Sequence, residues 1–154
     1  MTRYSIVPAL RAEPTVSKVW EPLLTSRTYD PEDRYAPGNG RAPKAGAIAG
    51  MAMTEKQGGS DVRANTTRAV PTGSSGPGEE YSITGHKWFC SAPMSDLFLM
   101  LANTDAGISC FAVPRWLPDG TKNPIFIQRL KDKLGNRSNA SSEIEMEGAL
   151  GRLV

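Results

Sequence analysis

The sequence predicts a mainly β protein: a small antiparallel β-barrel or orthogonal sandwich preceded by short α-helices. Three observations lead to this prediction. Short apolar or alternating runs follow one another after residue 47, and apolar residues before residue 30 recur at helical spacing. Glycine and proline are also frequent, at 15 and 12 of 154 residues, against a combined background of about 12%. This excess suits many turns and short strands better than a helical bundle.

Residues 1–29 form the helical part of the prediction. Ile6, Leu10, Val16, Trp20 and Leu24 recur at roughly helical spacing, with prolines at positions 8, 14 and 22 between them. Because proline inside a helix removes a backbone donor and clashes with the preceding turn, we expect two or three short helices. Helices this short cannot bury their own apolar faces and must pack on something else. Residues 30–47 are rich in proline, glycine and charge, and we expect a linker or loop there.

The predicted barrel domain covers residues 48–150. Its candidate strands are residues 48–54, 66–70, 81–84, 87–91, 97–103, 108–113, 125–130 and 142–147. Several alternate apolar and polar residues, as expected for an antiparallel sheet with one solvated face. Residues 97–102 are continuously apolar, so we expect that strand to be covered on both faces. Turns are expected at 71–78, at Gly85 and at 105–107.

Composition excludes several classes of function. The formal net charge is +2, whereas a dedicated nucleic-acid or membrane-surface binder would carry a large basic excess. The two cysteines and one histidine offer at most three soft ligands, so no structural zinc site is expected. No G-x-S-x-G elbow accompanies His86, which argues against a serine hydrolase. Without an apolar leader or spanning run, we expect a cytoplasmic chain with reduced thiols and no membrane contact.

The stretch from Ala52 to Ala64 is the one that suggests chemistry. A predicted strand ends at Thr54, which carries a hydroxyl, and Gly58, Gly59 and Ser60 follow shortly after. Glycines allow close approach of a ligand to the backbone, and successive N–H groups in such a turn can bind a phosphate or pyrophosphate. From the residues alone, the favoured explanation is a tight turn in which Asp61 caps a backbone N–H.

The full string resembles the signature of the acyl-CoA dehydrogenase flavoprotein family. Two further motifs follow in the order that this family shows: Ile83-Thr84-Gly85-His86-Lys87-Trp88-Phe89-Cys90-Ser91, then Leu134-Gly135-Asn136-Arg137-Ser138 before an alternating strand. Together the three motifs cover residues 48 to about 150. Their wording, including Met-Thr-Glu-Lys-Gln-Gly-Gly-Ser-Asp-Val at 53–62, resembles the AidB-like (alkylation-response) branch of the family.

The resemblance implies a β-barrel middle domain that lies against the flavin of FAD, and it implies roles for six residues. Met53 and Thr54 would line the flavin ring, and Gly59 and Ser60 would meet the pyrophosphate. Phe89 would pack beside the isoalloxazine where the family often has Trp. Ser91 would stand near N5 and O4 where the family has Thr.

The resemblance also implies what the chain lacks. In the family a glutamate on a C-terminal helical domain removes the substrate's α-proton, and this chain ends at Val154, before that domain would begin. Residues 1–29 resemble the last helices of the family's N-terminal α-domain. Glu55 belongs to the strand–loop motif and is not expected to be the base. We therefore expect no catalytic residue here, and a chain inactive by itself.

Partners and alternatives follow from the same comparison. We expect partners among the missing domains or copies of the same flavoprotein, which would be a homo-oligomer at full length. One alternative function is a non-catalytic interaction module, suggested by the apolar strand at 97–102. Another is a DNA-protection protein of the alkylation response, which the charge of +2 does not independently support.

Several further residues have plain structural interpretations. Trp88 and Phe89 should point to opposite faces of their strand, one into the core and one toward a ligand. The basic residues Lys131, Lys133 and Arg137 are expected in a solvated loop balanced by Asp132. His86 is expected to face solvent or bond to backbone, and the cysteines are expected to be small core residues.

Overall fold

A computed structural model describes residues 2–59 and 61–154 of the chain, and for Thr2, Arg3 and Tyr4 it describes only the helical backbone. Two α-helices come first: α1 (Thr2–Leu10) and α2 (Pro14–Thr25). Glu13 caps α2, because its carboxylate accepts the Thr15 N–H at 2.9 Å and the Thr15 hydroxyl at 2.7 Å. Pro14 opens this helix, where its missing N–H costs nothing. The prediction of two or three short helices is confirmed.

Residues 26–48, here called the strap, contain neither helix nor strand. The strap nevertheless holds a buried ion pair: Lys44 Nζ lies 2.8 Å from Asp96 Oδ1, with both side chains under 5% exposed. Lys44 also donates to the Glu32 carbonyl at 2.7 Å, and Asp96 Oδ2 accepts the Ile48 N–H at 2.9 Å. The predicted loop is therefore fixed along the barrel surface by specific bonds.

The sheet has seven strands in the part of the chain that the structure describes. They are β1 (Ala49–Ala52), β2 (Arg68–Pro71), β3 (Glu80–Ser91), β4 (Leu97–Thr104), β5 (Gly107–Pro114), β6 (Ile125–Leu130) and β7 (Ser141–Leu153), with one 3-10 turn at Val62–Ala64. Pairing runs β4–β2–β3–β7–β5 and back to β4, which closes a five-stranded barrel. β1 adds to β4 and β6 adds to β7 outside this ring. The predicted mainly β fold is confirmed; β4 pairs in parallel with β1 and β2, and the other pairings are antiparallel.

β4 separates two apolar cores, which explains its uninterrupted apolar sequence. Phe98 and Met100 point into the barrel, while Leu97 and Leu99 pack with the helical residues. All four are at most 3% exposed. The predicted coverage of both faces is confirmed, and α1 and α2 provide the outer cover. The interaction module that this strand suggested would have to use other residues.

One predicted turn is wrong. Residues 80–91 form a single strand, β3, and Gly85 lies within it at φ +151. A Cβ at Gly85 would lie 2.6 Å from Thr67 Oγ1 and 2.7 Å from Thr67 Cα. Glycine is required at position 85 because Thr67, in the segment before β2, passes too close for a side chain, and not because the chain reverses its direction there. The hairpin connections predicted at 71–78 and 105–107 are confirmed by the β2–β3 and β4–β5 pairings.

Candidate functional site

The segment that leaves β1 lies against the last residues of β3. The Trp88 N–H donates to the Thr54 carbonyl at 2.9 Å, and the Ser91 hydroxyl donates to the Met51 carbonyl at 3.4 Å. Asn65 holds the same segment from the other side, since its Nδ2 donates to the Met53 carbonyl at 2.9 Å. The structure therefore brings Met53 and Thr54, from the first motif, beside Phe89 and Ser91, from the second.

A bulge in β3 exposes the aromatic ring. Lys87 pairs with Ile144 and Cys90 pairs with Ser142. Between these two pairs β3 advances by three residues and β7 by two, so β3 contains one extra residue. Such an extra residue breaks the alternation of side chains. Trp88 is half-buried at the surface and Phe89 is 44% exposed, so neither enters the core. The prediction that one of the two would be a core residue is wrong, and the bulge is the reason.

Glu55 ties the ends of the glycine loop (residues 55–66) together. Its Oε2 accepts the Thr66 N–H at 2.6 Å and hydroxyl at 2.9 Å, while Oε1 accepts the Thr67 N–H at 3.0 Å and hydroxyl at 2.5 Å. Lys87 Nζ lies 2.8 Å from Oε1, and the two side chains are 0% and 2% exposed. Gln57 adds a sixth donor at 2.7 Å. We call Glu55, Thr66, Thr67 and Lys87 the Glu55 clasp.

Burial and hydrogen bonding act in opposite directions on this carboxylate. Burial by itself would raise the pKa of Glu55, but the hydrogen bonds from Lys87, Thr66 and Thr67 outweigh it. They hold the pKa of Glu55 well below its usual range, because they favour the charged form. Glu55 is thus a fixed carboxylate and a poor proton acceptor, and its exclusion as a catalytic base stays a prediction.

The glycine loop contains both a capped turn and an open position. Asp61 accepts the Arg63 N–H at 3.2 Å and so caps the short 3-10 turn. A Cβ at Gly58 would lie 2.7 Å from the Asp61 carbonyl oxygen, whereas a Cβ at Gly59 would meet no atom within 4 Å. Gly58 is therefore needed for the turn, and Gly59 faces open space. Ser60, the neighbouring predicted pyrophosphate contact, lies outside the described residues.

Cations surround the ring of Trp88, a feature that the sequence did not reveal. Lys131 Nζ lies 3.1 Å from the ring centroid, and Lys56 Nζ and Arg129 Cζ each lie 5.5 Å from it. Glu143 accepts from Lys131 at 2.6 Å and from Arg129 at 2.5 Å. The pKa of Glu143 is lowered, first by the hydrogen bond from Lys131. Lys131 is 7% exposed, so the prediction of a solvated residue balanced by Asp132 is wrong for it.

The remaining candidates, which are Lys133, His86 and the two cysteines, contact other groups of the chain. Lys133 donates to the carbonyls of Asn136 and Asn139. His86 is one-third exposed, with Nε2 3.8 Å from Glu143 Oε2. Burial raises the pKa of Cys90 to about 12 and that of Cys110 to about 11, which makes both thiols unreactive.

Neither a metal cluster nor a spanning helix occurs in the described part of the chain. No group of three or more His, Cys, Asp or Glu residues there could hold a metal ion. Neither described helix is long and apolar enough to cross a membrane. Cavities of about 410 and 450 Å³ lie elsewhere, one beside Trp116 and Arg41 and the other beside Phe98 and Phe126. The segments around Thr54 and Phe89 form a surface distinct from both cavities.

Comparison with known proteins assigns the chain. The family model described as acyl-CoA dehydrogenase, middle domain, matches residues 50–149. The chain belongs to the acyl-CoA dehydrogenase family. AidB of Escherichia coli (strain K12) is 51% identical over 147 residues, which is 94% of this chain and 25% of AidB. The predicted AidB-like branch is confirmed, and the chain spans about a quarter of the length of that relative.

Solved structures agree on the fold. ACDH-11 of Caenorhabditis elegans, solved in complex with C11-CoA, matches 99% of this chain with a TM-score of 0.72 and 27% identity, over 25% of its own chain. A solved FAD-dependent dehydrogenase matches 69% of this chain with a TM-score of 0.55 and 25% identity, over 27% of its own chain. This acyl-CoA dehydrogenase middle domain therefore has the barrel of its relatives.

Proposed function

We propose that this chain supplies one wall of an FAD site in an AidB-like flavoprotein of the oxidoreductase class. One observation carries the proposal: the β3 bulge leaves the Phe89 ring exposed, and its Trp88 N–H is bonded to the Thr54 carbonyl. An aromatic face and hydroxyl groups are thus adjacent, and a flavin ring needs both: flat apolar cover and fixed polar partners at its edge.

Each predicted contact has a chemical role toward the cofactor. Thr54 and Ser91 would offer hydroxyls to the polar edge of the flavin, and Met53 would line the ring. Gly59 and Ser60 would bind the pyrophosphate, which suits the open space at Gly59. Asn65 is 5% exposed and its Oδ1 accepts no hydrogen bond in the described residues. When bound, FAD would supply the hydride-acceptor chemistry.

We also propose that the chain by itself does not oxidise an acyl substrate at its CH–CH bond. A general base must reach the proton and be free to accept it. The carboxylates beside this surface are engaged: Glu55 in its clasp, and Glu143 with Lys131 and Arg129. In this proposal α1 and α2 correspond to the end of an N-terminal α-domain, residues 30–47 to a linker, and the base to a part of the flavoprotein outside this chain.

Amide chemical shifts test the FAD proposal. We expect titration of the isotope-labelled chain with FAD to shift the amides of residues 53–60 and 88–91, with a Kd of about 1 mM or tighter. FMN, which lacks the adenylate half, is the matched control and should shift 88–91 more than 59–60. Shifts confined to the cavity beside Trp116, or no shifts at saturating FAD, would contradict the proposal.

A second candidate function, an interaction module, is favoured by β6. Within the described residues this strand pairs with β7 alone, and Phe126, Ile127 and Leu130 are 46%, 54% and 64% exposed on it. An unpaired edge with exposed apolar residues favours association. Because the chain spans 25% of the length of AidB, we propose that another part of the flavoprotein covers β6.

In the chain alone β6 is uncovered, so sedimentation should show reversible self-association that Ile127→Lys removes. A monomer at all concentrations would contradict this.

A DNA-protection role in the alkylation response stays a prediction from the resemblance. The basic residues considered for DNA contact are engaged within the chain, Lys131 with Glu143 and Lys133 with loop carbonyls. A mobility shift with duplex DNA that weakens as salt rises is the result that would favour direct binding.

A further inference from the structure

We propose that Glu55 and Lys87 are a positioning pair that couples the glycine loop to the β3 bulge, so that both halves of the candidate FAD surface are held in one geometry. The proposal deepens the proposed function and rests on it for the identity of the ligand. The coupling itself is a property of the chain and can be tested without any ligand.

The first observation is that one carboxylate closes the loop. Glu55 stands at the start of the loop, and the N–H and hydroxyl groups of Thr66 and Thr67 stand at its end. Donors that lie eleven and twelve residues further along the chain are thereby bonded to the two carboxylate oxygens of Glu55. Hydrogen bonds to a charged group contribute more to stability than neutral ones. The loop that carries Gly59 is consequently closed by the clasp at its base.

The second observation is that two adjacent links join the loop to the bulge. The Thr54 carbonyl accepts the Trp88 N–H at 2.9 Å, and the residues beside these two are also linked, since Glu55 Oε1 accepts from Lys87 Nζ at 2.8 Å. A single bond would leave the two segments free to rotate about it. Two consecutive links, one between backbones and one between side chains, fix their relative orientation, and Phe89 follows directly.

The third observation is that a buried ion pair by itself adds little to the free energy of unfolding. Burying two charges costs several kcal/mol per ion, and an apolar pair of similar volume is often as stable. An apolar pair could not orient the donors of Thr66 and Thr67, which would be left without an acceptor. The ion pair therefore suits a role in which several loop groups must keep fixed positions.

The chain contains a matched control. Lys44 and Asp96 form a second buried ion pair with the same Nζ–O distance of 2.8 Å and similar exposure. That pair joins the strap to the residue before β4, and its side-chain hydrogen bonds among the described residues go to the strap and not to the glycine loop or the bulge. Glu55→Gln and Asp96→Asn should therefore lower the free energy of unfolding by similar amounts. They should differ in which segment of the chain opens more often.

Amide hydrogen exchange of the full chain tests the coupling. We expect Glu55→Gln and Lys87→Met to speed exchange about tenfold or more in both residues 56–66 and residues 88–91. Asp96→Asn should speed exchange in the strap and leave those two segments unchanged. If the buried substitutions prevent folding, Thr66→Val removes one hydroxyl donor at an exposed position, and Thr66→Ser should restore protection. Faster exchange in the loop with an unchanged bulge would overturn the proposal.

FAD titration of the same variants separates the two proposals. If the chain binds FAD, Glu55→Gln should weaken Kd about tenfold, which equals about 1.4 kcal/mol, and Asp96→Asn should not. If the chain does not bind FAD, the proposed function fails, and the hydrogen-exchange result still decides whether the pair couples loop and bulge. Equal weakening by both variants would overturn the positioning role.

Discussion

At the scale of single residues, a substitution of Phe89 should change the affinity for FAD without changing the stability of the fold. It is 44% exposed, so Phe89→Ala should change the free energy of unfolding by less than about 0.5 kcal/mol. The same change should weaken FAD binding about tenfold, because the ring would lose its aromatic cover. Phe126→Ala is the control, since Phe126 is 46% exposed on β6. Isothermal titration with FAD checks both, and equal affinities for the two variants would contradict the role of Phe89.

Glu55 gives a prediction about pH. Its pKa is lowered in the folded chain, so its contribution to stability is complete above its unfolded pKa of about 4.3 and is lost as pH falls below that value. At neutral pH, Glu55→Gln should cost about 3–5 kcal/mol, because Lys87 is left buried without a counter-charge.

Urea unfolding across pH checks this assignment. The stability difference between the parent chain and Glu55→Gln should be constant above about pH 5 and shrink below about pH 4. Asp132→Asn, a surface control, should show no such difference. A gap that stays constant down to the lowest accessible pH would mean that Glu55 is not held ionised by its partners.

The sequence identified which residues meet, but not how they are held. Thr54, Phe89 and Ser91 could be placed together because two ordered motifs resembled a known family. The six donors around Glu55 could not be found, since they converge from positions 57, 66, 67 and 87. A glutamate in a loop carries no local signal that it will be buried; only the fold supplies that.

At the scale of elements, β3 depends on Gly85. A Cβ there would lie 2.6–2.8 Å from three atoms of Thr67, at a φ of +151 that other residues rarely adopt. Gly85→Ala should therefore destabilise the chain by about 3 kcal/mol or more. Gly135→Ala is the matched control, because nothing lies within 4 Å of a Cβ there and its φ is ordinary. Thermal unfolding checks the pair, and similar Tm values would contradict the close crossing.

Strand order and bulges could not be predicted from the sequence, and the reason is physical. Alternation predicts where a strand runs, so most predicted runs coincide with observed strands. It carries no information about an inserted residue, and the bulge at Trp88 and Phe89 was missed for that reason. Gly85 was interpreted as a turn because glycine marks both turns and close backbone approaches, and only the position of Thr67 distinguishes them.

At the scale of the whole molecule, β4 packs against both the helices and the barrel interior, so we expect the two to unfold as one cooperative unit. Leu99 packs with the helices and Met100 with the barrel interior, each at most 3% exposed. Leu99→Ala and Met100→Ala should each cost about 2–5 kcal/mol. Both should shift a single transition followed by circular dichroism of the helices and by NMR signals of β7. Loss of helix signal before the β7 signals in Leu99→Ala would contradict shared cooperativity.

The loop after β1 and the β3 bulge should form one face for a flavin, and a crystal structure of the chain with FAD would show whether they do. We predict the isoalloxazine against the Phe89 ring, with a Thr54 or Ser91 hydroxyl within about 3 Å of its polar edge and the pyrophosphate at Gly59 and Ser60. FAD bound in the cavity beside Trp116, with the Phe89 ring still open to solvent, would contradict the claim.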